Sequence, residues 1–246
     1  MASFTPAYGK VDRDYGMRLA TTPPEEDGPV WMLNLMKYRD VAAYADGNPE
    51  GISGKEADDR YAPTEVLRKI GAHVPFFGDV ESQPVGSDVA WDRIGMVKYP
   101  TRRSFIDMQA RSDFKGKHEH KEAGMEFTFV MGCQPIDFGA STAAETVAAS
   151  FVVLDVLRFV DGTSAVEMHE NARAARDHAS AGGGFPLTWF DVEGTIMGDG
   201  RKWDAARFTA YPSFDAAVAA PPSHAAPAPP VQDQYRVIVR ASINTL

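Results

Sequence analysis

The chain has one cysteine, no long apolar run and no concentration of positive charge. Cys133 is the single cysteine among 246 residues, which excludes an intrachain disulfide and a thiolate metal cage. No apolar stretch approaches the roughly 20 residues of a membrane helix. The N-terminus also lacks the apolar segment of a signal peptide. We therefore expect a cytoplasmic protein that makes no contact with a membrane.

The charge balance is acidic. The chain has 25 Lys and Arg residues against 34 Asp and Glu residues, a formal net charge of −9. The densest basic segment, residues 115–118, is followed at once by Glu119 and then by Glu122. Because phosphate neutralisation needs a concentrated basic face, we expect no nucleic-acid partner.

The sequence predicts a tandem repeat of one small domain. Four segments recur in the same order: residues 31–38 in 152–159, 53–56 in 164–167, 75–81 in 186–193, and 91–100 in 203–212. Such ordered recurrence is typical of an internal repeat. The predicted organisation is an N-terminal arm (1–28), a first repeat (29–136), a linker (137–149) and a second, diverged repeat (150–246).

Each repeat predicts the element order β-α-β-β-α-β. The first copy predicts strand 30–38, a helix from 53 to 70 that Pro63 kinks or divides in two near Tyr61, strands 73–83 and 89–99, a helix from 100, further helix over 112–124, and strand 125–133. The second predicts strand 150–159, helix 164–181, strands 185–197 and 203–210, helix 213–220 and strand 233–243. Residues 221–230 are proline-rich, which favours an extended loop where the first copy has its second helical stretch.

A four-stranded sheet with helices on one face leaves its other face bare, and an exposed apolar face favours association. The predicted fold class is therefore α+β: two tandem ferredoxin-like repeats that form an intrachain dimeric α/β-barrel around a cavity. A homodimer is a further possible assembly.

Three segments of the first copy resemble a known family. They are residues 34–39 (Asn-Leu-Met-Lys-Tyr-Arg), residues 99–103 (Tyr-Pro-Thr-Arg-Arg) and residues 118–123 (His-Glu-His-Lys-Glu-Ala). In combination they resemble a branch of the dimeric α/β-barrel superfamily, over residues 30–133. The resemblance implies the fold, and an activity among cofactor-free monooxygenases, isomerases, cyclases and lyases, or haem enzymes built from two repeats. The second copy lacks the paired histidines and the double arginine, so we place the site in the first copy.

His118 and His120 are the candidate catalytic residues, since histidine is the usual acid or base near neutral pH. In an extended chain they would share a face and could bind a metal with Glu122. In a helix they diverge, and only His118 and Glu122 share a face. We predict a helix here, and hence no metal site.

Six further residues of the first copy are candidates for substrate binding. Asn34, Tyr38 and Arg39 would steady negative charge on a substrate oxygen, although Asn34 could instead make a structural hydrogen bond. The candidates for lining the cavity are Tyr61, His73 and Trp91, each with ordinary packing as its alternative.

The leading hypothesis is a cofactor-independent lyase, isomerase or cyclase that moves protons on a small aromatic or apolar substrate, including retro-aldol C–C cleavage. The second is a haem protein or a cofactor-free oxygenase, with His169 or His178 as the axial ligand in the haem case. The third is a protein that binds an apolar ligand without converting it.

Overall fold

The structure is a computed structural model that describes residues 6–47, 50–138, 151–221 and 230–246. The arm and first repeat contain β1 (Lys10–Val11), α1 (Arg13–Thr21), β2 (Val30–Tyr38), α2 (Gly54–Tyr61), α3 (Thr64–Lys69), β3 (His73–Val85), β4 (Arg93–Tyr99), α4 (Arg102–Ala110), α5 (Ser112–Lys115), α6 (His118–Gly124) and β5 (Met125–Pro135). The second repeat contains β6 (Phe151–Phe159), α7 (Ala165–Ala181), β7 (Phe185–Gly198), β8 (Ala205–Tyr211), α8 (Phe214–Val218) and β9 (Val231–Asn244).

The two repeats share one strand order. The strands of the first repeat lie in the order β5-β2-β4-β3, and those of the second in the order β9-β6-β8-β7. In both, the first strand of the repeat lies between the fourth and the third. The strands β6 and β8 pair antiparallel, with Leu154 opposite Phe208. The predicted class, α+β with tandem ferredoxin-like repeats, is confirmed.

The chain forms two compact units, and each takes residues from both repeats. The first unit comprises the described residues of 1–75, 94–132 and 194–201, and the second those of 76–93, 133–193 and 202–246. Inside the second unit β3 pairs with β9, with Val80 opposite Val239. Hydrogen bonds therefore join a strand of the first repeat to the last strand of the second. The repeat boundaries drawn from the sequence stay predictions.

The N-terminal arm is more than a surface segment. Asp12 caps α1 by accepting a hydrogen bond from the Tyr15 amide at 2.9 Å, and Tyr15 and Leu19 are buried in the core of the first unit. Gly132 and Gly194 make room for the Tyr15 side chain, because a Cβ at either glycine would overlap it. The two apolar residues at i and i+4 were the only sign of this helix in a polar sequence.

Of the two forms predicted near Tyr61, a kink or a helix in two pieces, the structure has the second, since α2 ends at Tyr61 and α3 begins at Thr64. α2 begins with a reciprocal capping box between Ser53 and Glu56. The chain leaves α3 through Gly71, whose φ of +74° is one that glycine adopts without strain. The predicted helix over 112–124 likewise divides into α5 and α6. Most of the predicted linker and of the proline-rich segment lies outside the described residues.

The end of β2 is tied by backbone hydrogen bonds to the start of α2 and the end of α6. The Arg39 amide donates to the Gly124 carbonyl at 3.0 Å, and the Gly54 amide donates to the Arg39 carbonyl at 3.0 Å. A Cβ on Gly54 would overlap the carbonyl oxygens of Gly124 and Arg39, and a Cβ on Gly124 would overlap the Gly54 carbonyl. We call these three residues the glycine junction. It allows the backbones of α2 and α6 to approach closely.

We expect Gly54→Ala to lower the free energy of unfolding by about 1–3 kcal/mol, because overpacking forces the backbone to shift. Denaturant unfolding followed by circular dichroism measures the change. Gly116→Ala is the control, since no atom lies within 4 Å of a Cβ built there. Equal stability of the Gly54→Ala variant and the wild type would contradict a close packing of α2 on α6.

The second unit contains a buried ion pair at the position that matches Asn34. Arg236 donates from Nε and Nη2 to the two carboxylate oxygens of Asp155, each at 2.8 Å, and Gln234 Nε2 donates to Asp155 Oδ1 at 2.7 Å. The Asp155 side chain is 2% exposed and that of Arg236 is 11% exposed. Removing one partner would leave a buried charge without compensation.

We expect Asp155→Asn to cost about 3 kcal/mol of stability, in the range for a broken buried pair. Glu81→Gln, which breaks the more exposed pair of Glu81 with Arg240, serves as the matched control and should cost less than about 1 kcal/mol. Thermal and denaturant unfolding report both. Equal losses in the two variants would mean that burial does not set the strength of the pair.

Candidate functional site

The helix α6 directs its two histidines to different surroundings. His118, Lys121 and Glu122 stand at i, i+3 and i+4, so they share one face of the helix. His120 lies off that face, where its Nδ1 and the Tyr44 hydroxyl share a hydrogen bond of 2.8 Å. The predicted helix is confirmed, and the two histidines do not form one site.

His118 lies against aromatic rings. Its imidazole meets the Phe114 ring edge to face, with 4.7 Å between centroids, and lies 6.5 Å from the Tyr61 ring. Burial lowers the pKa of His118, and the positive charges of Lys121 and Lys115 lower it further. The imidazole is therefore mainly neutral at pH 7 and able to accept a proton.

Lys121 extends from the same face into aromatic surroundings. Its Nζ lies 5.2 Å from the centroid of the Tyr61 ring and 5.9 Å from that of Tyr8, distances at which a ring face attracts a cation. Burial lowers the pKa of Lys121, and the carboxylate of Asp58 opposes that shift. Among the described residues, none forms a hydrogen bond or a contact ion pair with Lys121 Nζ.

Asp58 on α2 is the carboxylate whose charge raises the pKa of Lys121. It is 7% exposed, and Tyr38 donates its hydroxyl proton to Asp58 Oδ2 at 2.6 Å. The Tyr38 hydroxyl is thus engaged with a carboxylate. This contact fixes Asp58 and fixes the Tyr38 ring at the end of β2.

Two tyrosines beside Lys121 stay protonated at neutral pH. Burial raises the pKa of Tyr61 and that of Tyr8, and the charge of Glu122 raises the latter further. A protonated phenol is a hydrogen-bond donor. We call His118, Lys121, Asp58, Tyr8 and Tyr61 the lysine cluster; all five belong to the first unit.

The other predicted substrate-binding residues do not join the lysine cluster. Asn34 donates from Nδ2 to the carbonyl of Met32 at 3.0 Å, which is a structural hydrogen bond within its own strand. Arg39 contributes its backbone to the glycine junction, and its enclosed Nε donates to none of the described residues. His73 is exposed at the start of β3. Trp91 belongs to the second unit, where its ring packs against Tyr235 at 5.5 Å.

Sequence reasoning missed Lys121, Asp58 and Tyr8. Lys121 stood in the quoted histidine motif, but a lysine in a helix is usually solvated. The available sign was its i+3 spacing from His118. Nothing in the sequence placed Tyr8 or Asp58 beside that helix face.

The double arginine at the start of α4 has a structural partner. The amides of Arg102 and Arg103 donate to the two carboxylate oxygens of Asp27, at 2.8 Å and 3.2 Å. Arg103 Nε also donates to Asp107 at 3.0 Å. The two hydrogen bonds to Asp27 hold the arm against α4.

His169 and His178, the proposed axial haem ligands, lie in surroundings that do not suit that role. His169 Nε2 lies 2.7 Å from Asp191 Oδ2, so the nitrogen that would bind iron is engaged. His178 is exposed on α7. Neither fits an axial ligand in this arrangement, and we derive no step through haem.

The described residues lack two features that are typical of other classes of protein. They contain no group of three or more His, Cys, Asp or Glu side chains placed to hold a metal ion. No helix among them is long and apolar enough to cross a membrane. The cytoplasmic location stays a prediction.

No protein-family model and no curated protein matches the chain. Among solved structures, a protein of unknown function from Rhodopseudomonas palustris is similar at 24% identity over 53% of this chain and 98% of its own, with a TM-score of 0.45. An anthrone oxidase-like protein is similar at 13% identity over 90% and 96%, with a TM-score of 0.49. A mutant chlorite dismutase from Candidatus Nitrospira defluvii is similar at 10% identity over 87% and 91%, with a TM-score of 0.48. We derive the function from the site itself.

The lowered pKa of His118 predicts a loss of stability in mild acid. The unfolded chain binds a proton at this histidine near pH 6.5, whereas the folded chain binds it only at lower pH. The unfolded state therefore holds more protons as the pH falls from 7 toward 5, and stability falls with it. The fall in melting temperature from pH 7.5 to pH 5 should be smaller in His118→Gln than in the wild type. His178→Gln, a change at an exposed histidine, should keep the full drop; the same drop in all three proteins would contradict the pKa assignment.

Proposed function

We propose that the protein is a cofactor-independent enzyme that moves protons on a small aromatic or otherwise apolar substrate, in lyase, isomerase or cyclase chemistry. The observation that supports this is the lysine cluster, in which burial among aromatic side chains lowers the pKa of both His118 and Lys121. Perturbed bases concentrated at one place are characteristic of active sites.

In this proposal neutral His118 is the general base. It accepts a proton from a carbon or hydroxyl group of the substrate, and the negative charge develops on a substrate oxygen. The protonated hydroxyl of Tyr61 or Tyr8 donates a hydrogen bond to that oxygen. The ring of Tyr61, which is partly exposed, supplies the apolar surface on which an aromatic substrate packs.

The assignments made from the sequence change accordingly. His118 keeps the role of base, whereas the imidazole of His120 is hydrogen-bonded to the Tyr44 hydroxyl, outside the lysine cluster. Tyr38 positions Asp58 instead of binding substrate. Arg39 remains a candidate for contact with a substrate oxygen, since its Nε is without an acceptor among the described residues. Homodimerisation remains a prediction.

Deuterium exchange tests proton abstraction before the natural substrate is known. In D2O, the wild type should accelerate exchange of the C–H next to the carbonyl of 4-phenyl-2-butanone, measured by proton NMR. His118→Gln should lower the enzymatic rate by about 10²-fold or more, as expected for loss of a general base. His120→Gln, the matched control on the same helix, should stay within about twofold.

Two results would count against the proposal. An equal loss in His120→Gln would remove the assignment of His118 as the base. Retention of the ketone in native mass spectrometry, with no acceleration of exchange, would favour the non-catalytic ligand-binding protein.

A further inference from the structure

The amine of Lys121 is the nucleophile of the lysine cluster, and the general-base mechanism leaves it unused. It lies on the same helix face as His118, and the ring of Tyr61 contacts both side chains. None of the described residues accepts a hydrogen bond from its Nζ or pairs with it within ion-pair distance. The side chain still reaches the surface in part. A buried amine without a bound acceptor, beside a base, is the arrangement that a nucleophilic lysine requires.

We propose that Lys121 binds substrate covalently, as an imine with an aldehyde or ketone. This rests on the proposed function and names its substrate class: a carbonyl compound with an apolar or aromatic body. Burial favours such a lysine because removal of water disfavours the ammonium ion. The burial that lowers the pKa of Lys121 supports the neutral amine, against the opposing charge of Asp58.

The proposed chemistry balances without a cofactor. The Nζ lone pair attacks the carbonyl carbon; the carbonyl oxygen gains one proton from the amine and one from solvent and leaves as water, which gives a protonated imine. The solvent proton is returned when the imine is hydrolysed. In a β-hydroxy carbonyl substrate His118 then takes the hydroxyl proton, the C–C bond breaks, and its electrons move into the imine to form an enamine. The hydroxyl carbon leaves as a second carbonyl compound. A proton returns to the enamine carbon, and one water hydrolyses the imine and restores the amine.

The retro-aldol reaction is therefore the member of the proposed class that this site favours. The protonated imine accepts the electron pair that a carbonyl oxygen would otherwise take. The ring centroids of Tyr61 and Tyr8 lie 5.2 Å and 5.9 Å from Nζ, distances at which ring faces favour the positive charge of the protonated imine.

Reductive trapping tests the amine directly and needs no knowledge of the natural substrate. The full-length protein is treated at pH 7 with limiting benzaldehyde and sodium cyanoborohydride, and peptide mass spectrometry locates N-benzyl lysine. An ordinary lysine, with a pKa near 10.4, is almost wholly protonated at pH 7, and each unit by which the pKa falls raises the neutral fraction about tenfold. We expect Lys121 to be labelled at least about 10-fold faster than Lys115, which is exposed on the preceding helix.

The pH dependence supplies a second readout. Labelling of Lys121 should level off at a lower pH than labelling of Lys115. Lys121→Arg should lose the fast-labelled site while Lys115→Arg keeps it, and both should melt as the wild type does. Labelling of Lys121 no faster than Lys115, or no labelling of it in the folded protein, would overturn the proposal.

Different results would exclude the imine at Lys121 and the proton transfer by His118. Labelling of Lys121 in the wild type no faster than that of Lys115, together with His118-dependent deuterium exchange that Lys121→Arg retains, would exclude the imine and leave the proton-transfer enzyme. Fast labelling of Lys121 without any His118-dependent exchange would keep the reactive amine and end the function proposed for His118.

Discussion

The close approach of α2 and α6 at the glycine junction is the constraint on which the candidate site depends. Gly54 and Gly124 meet there without side chains, and the backbone of Arg39 bonds to both. Asp58 and Tyr61 stand on the first helix, while His118 and Lys121 stand on the second. Were the helices held apart by a methyl group, the aromatic enclosure of the lysine would open and water would restore its usual pKa.

The two units differ in whether their buried charged side chains have a contact partner. In the second unit Asp155 is satisfied by Arg236 and Gln234, so its charge is compensated and structural. In the first unit Lys121 is enclosed by rings and only Asp58 acts on it from a distance. A polar group that is buried without a contact partner costs stability. That cost is typical of a site kept for a ligand or a reaction.

The repeat pattern and hydrophobic periodicity predicted the fold well, because strand and helix signals are local. β2 and the start of α2 lie where the sequence placed them. The site was predicted less completely. The helical spacing of α6 correctly separated His118 from His120, yet it did not single out Lys121. The helix of the arm was missed, since only Tyr15 and Leu19 mark its buried face.

The sequence by itself determined the class of fold, the order of elements in each repeat and the helix that carries the histidines. These follow from the periods of side chains along strands and helices, which a single chain displays in its own pattern. Only the tertiary structure decided which charged groups are buried together. Tyr8, Asp58 and Lys121 are far apart in sequence, and the water that their shared packing removes sets the protonation of Tyr8 and Lys121.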